Sequence, residues 1–244
     1  MRSVILAAGK GTRISRYLSG NPKCTVDIGN TKLIQYTIEL LNKKNIHDIA
    51  IVIGYRGNVI REALQDYQVT FYENPFYDVT NSIASLWFAK DFFDIKDSYI
   101  IMNGDVYIEE SLLDDILRNE LSPVMFADSS RKECADFKFK YEKNILMKYG
   151  KELEVDDITG EYIGAAKFDS DFVPVFTNKL KELIYEQKHQ LWWENVLYEM
   201  IGTRNIYVNE THKKFWAEVD YIEDYDRILD FRGFKADYYS NDLQ

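Results

Sequence analysis

Residues Ser3 to Lys23, SVILAAGKGTRISRYLSGNPK, constrain this chain more than any other stretch. Val4, Ile5 and Leu6 form a short apolar run of the kind found in a parallel strand covered on both faces. Ala7, Ala8 and Gly9 then remove side-chain bulk, so the backbone can approach a ligand closely. Gly9 and Gly11 permit angles that other residues resist, which lets consecutive N–H groups from Ala8 to Arg13 converge on phosphate oxygens. Arg13 adds a planar fork of donors, and Lys23 a mobile point charge.

Charge supports an anion here. The chain carries a net charge of −10, yet Arg2, Lys10, Arg13, Arg16 and Lys23 all precede the first acidic residue, Asp27. The acidic balance argues against nucleic-acid binding, which needs a broad basic face. A basic patch of this size suits one triphosphate. Two better-known phosphate loops do not fit. A Walker A loop needs glycine five positions before its lysine, and counting back from Lys10 reaches Ile5. A dinucleotide fingerprint needs a third small residue where Ile14 stands.

The chain of 244 residues is 46% hydrophobic, enough for one large core. Apolar runs such as Ile49 to Ile53 fall far short of the roughly 20 residues that span a bilayer, and no apolar secretory segment opens the sequence. A cytoplasmic location without membrane insertion is expected. Cys24 and Cys134 have no metal or disulfide spacing and read as reduced thiols.

In order along the chain, strands are predicted at 48–54, 69–72 and 98–102, with helices at 32–43, 58–67, 81–93 and 110–118. Past Pro123 strands alternate with polar turns, at 123–127, 137–141 and 162–168. Helices at 173–187 and 192–201, a strand at 206–209, an extended piece at 217–221 and a helix near 222–231 complete the pattern. The fold class expected is α/β: a single Rossmann-like domain with a mixed, mainly parallel sheet flanked by helices and an antiparallel addition around an acceptor pocket. Residues 1–122 form the nucleotide half, 123–232 the acceptor half, and 233–244 a loosely held tail. Asp105 then sits at a strand's carboxyl end, where such sheets place ligands.

Gly9-Lys10-Gly11-Thr12-Arg13, followed ten positions later by Pro22-Lys23, resembles the signature of the nucleotidyltransferase superfamily that makes sugar nucleotides and CDP-activated alcohols. Gly54-Tyr55, Thr80 to Leu86, Asn103-Gly104-Asp105, Trp193-Glu194-Asn195 and Glu218-Val219-Asp220 extend the resemblance over most of the chain, closest to the phosphocholine and 2-aminoethylphosphonate cytidylyltransferase branch. The nucleotide-diphospho-sugar transferase fold follows from that likeness. It implies CTP and a small phosphate or phosphonate acceptor as substrates, with CMP transfer, pyrophosphate release and a role in decorating surface polysaccharide or lipid. It further implies Lys23 on the α-phosphate and acceptor phosphate, Arg13 on the triphosphate, and Mg²⁺ held by Asp105 and Asp220. Leu6, Ala7, Ala8, Gly9, Gly11, Thr12, Arg13, Tyr55, Asn81, Ser82, Ser85 and Asp105 are expected around the nucleotide. A homodimer is compatible with this reading.

For the acceptor, Trp192, Trp193 and Glu194 suggest an aromatic and acidic wall that would attract an amino or choline head. One tryptophan of the pair belongs to the core, because neighbours cannot point the same way. Glu161-Tyr162-Ile163-Gly164 resembles the E-Y-x-G element of sugar-phosphate members, where the glutamate addresses sugar hydroxyls. Acceptors thus include phosphocholine, 2-aminoethylphosphonate and phosphoglutamine, with sugar-1-phosphates as the alternative. A non-catalytic nucleotide-binding regulator is the more distant one.

Overall fold

The computed structural model describes residues 1–11, 13–14 and 18–235. Thr12 of the expected nucleotide site and residues 236–244 of the expected loose tail lie outside the described residues. The first tail residues are held: the Phe234 N–H donates to the Leu229 carbonyl at 2.9 Å.

Among the described residues, nine strands form one mixed sheet. Its parallel half comprises β1 (Arg2–Ala7), β2 (Ile49–Ile53), β3 (Thr70–Glu73) and β4 (Tyr99–Asn103), in the spatial order β3-β2-β1-β4. A two-stranded ribbon joins β5 (Val106–Ile108) to β11 (Trp216–Glu218), antiparallel. The large sheet continues through β6 (Val124–Asp128), β7 (Lys138–Glu142), β8 (Ile145–Gly150), β9 (Gly160–Phe168) and β10 (Tyr207–Glu210). Strand β9 lies antiparallel between β4 and β6, so the sheet runs unbroken from the first half of the chain into the second.

The apolar run of β1 has a simple cause in this architecture. Val4 and Leu6 enter one core, Ile5 and Ala7 the other, because successive side chains leave a strand on opposite faces. The core on the first face includes residues of α3 (Ser82–Phe88) and α5 (Val173–Tyr185). That on the second includes α1 (Leu33–Lys43), α2 (Gly57–Ala63) and α4 (Glu110–Arg118). Each fully buried Ile, Leu or Val contributes about 1.5–3 kcal/mol, and β2 is buried along its whole length. A third cluster, with Ile14, Val26, Tyr107 and Val219, packs under α7 (Ile222–Phe231).

Several sequence expectations change. The helix predicted over 192–201 contracts to α6 (Asn195–Tyr198). The residues before it form tighter turns: the Asn195 N–H donates to the Trp192 carbonyl and the Val196 N–H to the Trp193 carbonyl, each at 3.1 Å and each reaching back three residues rather than four. The helix predicted over 81–93 stops at Phe88, with a separate 3-10 turn at Lys90–Phe92, and the one over 58–67 ends at Ala63. Strands β5 and β8 went unpredicted. Strand β5 is short and gains its regularity from β11, distant in sequence, while β8 is half-exposed and forms the second arm of a hairpin with β7.

Candidate active site

The carboxyl ends of β1 and β4 open into a cavity of about 470 Å³. Its walls include Leu6, Ala7, Ala8, Gly9, Gly11, Arg13, Lys23, Asn81, Ser82, Ser85, Asp105, Glu194 and Asp220. These positions are spread over the chain, and the parallel register brings them together: Leu6 pairs with Asn103, so the loops after β1 and β4 emerge side by side.

Local geometry explains the residue types. Gly11 has φ +57, and a Cβ there would stand 2.5 Å from the Lys23 Cγ. Only glycine lets the Lys23 stem lie across the loop. At Gly104 a Cβ would lie 2.9 Å from the Leu6 carbonyl oxygen, which accepts the Gly104 N–H at 2.8 Å. That close approach fixes the start of the turn carrying Asp105. Asp220 arrives by a different route, since Glu218 pairs with Val106 across the β5–β11 ribbon and the Val219 N–H donates to the Asp105 carbonyl at 2.9 Å.

Asp105, Glu218 and Asp220 consequently face one point, each offering an oxygen within 4.8 Å of the others. Lys23 reaches into them, its Nζ 3.2 Å from Asp105 Oδ2 and also paired with Asp220. Arg13 pairs with Asp220 at 2.5 Å and stacks over Tyr221. Burial alone would disfavour the Lys23 charge, yet Asp105 and Asp220 overcome it and hold the ammonium's pKa above its usual range. Burial pushes Glu218 well up, and the like charges of Asp105 and Asp220 push it further. Three hard oxygen donors crowded this closely, with one ammonium among them, fit a divalent cation. The sequence reading had two of the three carboxylates. Glu218 was legible in principle, because residues two apart in an extended segment share a face.

On the other wall, Trp192 lines the cavity, whereas Trp193 is fully buried. Trp193 Nε1–H donates to Asn103 Oδ1 at 2.9 Å, and Asn103 Nδ2–H in turn reaches Glu194 Oε1 at 3.4 Å. Trp193, expected against the acceptor, is thus a core residue bracing this wall. Glu194 itself is buried, and desolvation pushes its carboxyl up to about 7.

Glu161, the other expected acceptor residue, is not on the large cavity. Its carboxylate accepts from Arg131 Nε at 2.7 Å and from the Asp136 N–H at 2.8 Å, beside a smaller hollow lined also by Trp216 and Arg227. Tyr55 also stands back from the wall. Its N–H donates to the Ala8 carbonyl at 3.0 Å and its ring packs edge-on to Tyr77, which does line the cavity. Trp192 lines the cavity as the expected aromatic wall, whereas Tyr77, Asn103, Tyr162 and Tyr198 were not expected as wall residues and reach it through tertiary packing.

The MobA-like NTP transferase domain model matches residues 3–152. Among curated proteins, the CTP:phosphoglutamine cytidylyltransferase of Campylobacter jejuni is 28% identical, over 92% of this chain and 97% of that protein. A choline-phosphate cytidylyltransferase of Streptococcus pneumoniae is 27% identical, over 93% of this chain and 96% of its own length. Among solved structures, a CTP:phosphocholine cytidylyltransferase from Streptococcus pneumoniae superposes with TM-score 0.79 at 24% identity, covering 95% of this chain and 98% of that one. The inositol-1-phosphate CTP transferase of T. maritima gives TM-score 0.77 at 19% identity, covering 97% of this chain and 98% of its own. These likenesses establish the nucleotide-diphospho-sugar transferase fold. Among the described residues no helix is long and apolar enough to cross a membrane.

Proposed function

The chain belongs to the MobA-like NTP transferase domain family, and from that membership we propose that it is a cytidylyltransferase, moving CMP from CTP to a small phosphorylated or phosphonate acceptor and releasing pyrophosphate. The carrying observation is one cavity whose walls hold the glycine loop, Lys23, three convergent carboxylates and, opposite them, Trp192 with Glu194. Full-length likeness to the two curated cytidylyltransferases supports CTP as the donor. Phosphocholine, 2-aminoethylphosphonate and phosphoglutamine are the acceptors considered, for a product destined for surface polysaccharide or lipid. Residues 1–122 supply the nucleotide side and 123–232 most of the acceptor side.

The chemistry brings two anions together, so the residues chiefly position and neutralise. An acceptor oxygen attacks the α-phosphorus in line; the bond to the β-phosphate oxygen breaks, and pyrophosphate departs. No general base is required, because the acceptor is already an oxyanion. In this reading the loop from Ala8 to Arg13 holds the triphosphate through its N–H groups and the Arg13 guanidinium. Lys23, kept cationic, offsets charge that grows on the α-phosphate in the transition state. Asp105, Glu218 and Asp220 would hold Mg²⁺, which when bound supplies further neutralisation of phosphate oxygens. Asn81, Ser82 and Ser85 line the cavity on α3 and its cap, and are assigned to the pyrimidine.

The sugar-1-phosphate alternative leaned on Glu161, and the ion pair of that carboxylate with Arg131 weakens it. The deciding experiment is pyrophosphate release with Mg²⁺ across four nucleoside triphosphates and the acceptors above, plus hexose-1-phosphates. Turnover confined to CTP and an amino-bearing phosphate or phosphonate is expected. Turnover only with hexose-1-phosphates, or none across the grid, would overturn the proposal.

A further inference from the structure

Glu194 presents an unusual demand. It is only 7% exposed and lines the cavity, and the one side-chain donor its carboxylate meets among the described residues is Asn103 Nδ2, at a long 3.4 Å. Asn103 is itself held on its other side by Trp193 Nε1–H at 2.9 Å. A carboxylate taken out of water with so little compensation calls for a cation or a further donor.

Two more groups make the same demand beside it. Tyr162 and Tyr198 line the same cavity at 6% and 3% exposure, and each hydroxyl lacks a partner among the described residues. Burial, and next the nearby Glu194 charge, push both phenols up, so each keeps its proton. Packing limits their freedom to turn elsewhere: Tyr162 stacks on Phe139 at 5.0 Å and Tyr198 on Tyr149 at 3.9 Å. Unbonded buried polar groups are rare enough to need a reason, and two such hydroxyls lining the same cavity as a thinly compensated carboxylate share one.

We propose that the acceptor's head group is a primary ammonium, bound to Glu194 with the Tyr162 and Tyr198 hydroxyls accepting its remaining N–H donors. This rests on the cytidylyltransferase reading and narrows its acceptor. A primary ammonium carries three donors, matching one carboxylate and two hydroxyls. A trimethylammonium carries the same charge and none of the donors, so it would leave the phenols unbonded. The aromatic faces of Trp192 and Phe137, edge to face at 5.2 Å, attract either cation and do not discriminate. The hydroxyls do.

The test pairs CTP and Mg²⁺ with ethanolamine phosphate, 2-aminoethylphosphonate and choline phosphate, in the parent enzyme and in Tyr162→Phe and Tyr198→Phe. Calorimetric binding of each acceptor to the parent protein runs alongside. Expected is a kcat/KM at least about tenfold higher for the two primary amines, the scale set by leaving a buried polar group unbonded. Each Phe variant, which keeps the stacking, should narrow that ratio at least about fivefold. Packing damage would lower both acceptors together and leave the ratio fixed, which would overturn the inference. Choline phosphate turned over equally well or better would also overturn it while leaving the cytidylyltransferase standing. No CTP turnover and no binding with any acceptor would sink both readings.

Discussion

The Lys23 side chain crosses Gly11 so closely that a single added methyl there would fall 2.5 Å from its Cγ. The loop and the lysine form one unit. Because φ at Gly11 is also +57, Gly11→Ala adds strain to the clash. We expect it to lower pyrophosphate release by at least about tenfold by displacing Lys23, with a modest fall in melting temperature from backbone strain of about 1–3 kcal/mol. A crystal structure of the variant with Lys23 unmoved would separate loop strain from lysine displacement.

Lys23→Ala removes the positive charge between Asp105 and Asp220. Turnover should fall about 10²–10³-fold, the scale of losing one transition-state donor, with circular dichroism unchanged. Near-normal kcat would remove Lys23 from the catalytic set.

Glu218 was the carboxylate that sequence reasoning passed over. Glu218→Gln keeps its shape and removes a charged oxygen from the three-carboxylate cluster. The Mg²⁺ concentration giving half-maximal rate should rise at least about tenfold, since hard cations favour charged oxygen ligands. An unchanged metal requirement would assign the ion to Asp105 and Asp220 alone.

Glu194 makes stability depend on pH. Burial raises its carboxyl from 4.5 to about 7, so the folded chain keeps a proton that the unfolded chain has already released. Its contribution is therefore fully present below about pH 4.5 and is lost as pH rises to about 7. That loss amounts to roughly 2–4 kcal/mol. Urea midpoints at pH 5 and pH 7.5 should fall further for the parent than for Glu194→Gln. Parallel curves would show that the carboxylate is not desolvated as described.

Trp193→Phe leaves Asn103 Oδ1, on a half-buried residue lining the cavity, without its donor. A destabilisation of about 0.5–1.5 kcal/mol is expected for the lost bond, read from urea unfolding. Acceptor KM should rise more than kcat falls, because Asn103 is then free to turn away from Glu194.

Much of this was legible along the chain. The two-faced apolar run of β1, the amphipathic spacing of α1 and α4, and the glycines after β1 are local properties, and local sterics and burial decide them. Glu110–Arg118 and Ile222–Phe231 formed helices over the expected residues for that reason. The Gly-x-Gly-Thr-Arg and Pro-Lys elements named an anion site before any fold was in view. The alternation of strand and helix patterns pointed to the α/β class that the mixed sheet shows, and each of these inferences needed only neighbours in sequence.

Which of two adjacent tryptophans faces the cavity was decided elsewhere. Trp192 faces it and Trp193 does not, because Ser82 and Asn103, about a hundred residues away, hold the latter's N–H groups. Glu161 was drawn away from the large cavity by Arg131, and Glu218 was brought to Asp105 by a ribbon whose strands lie more than a hundred residues apart. Spacing in sequence carries no information about such pairings. Sequence alone determined that this chain builds a glycine-bearing loop on a buried parallel strand; only tertiary packing decided which carboxylates and aromatics meet around it, because burial and hydrogen bonding between distant segments set those choices.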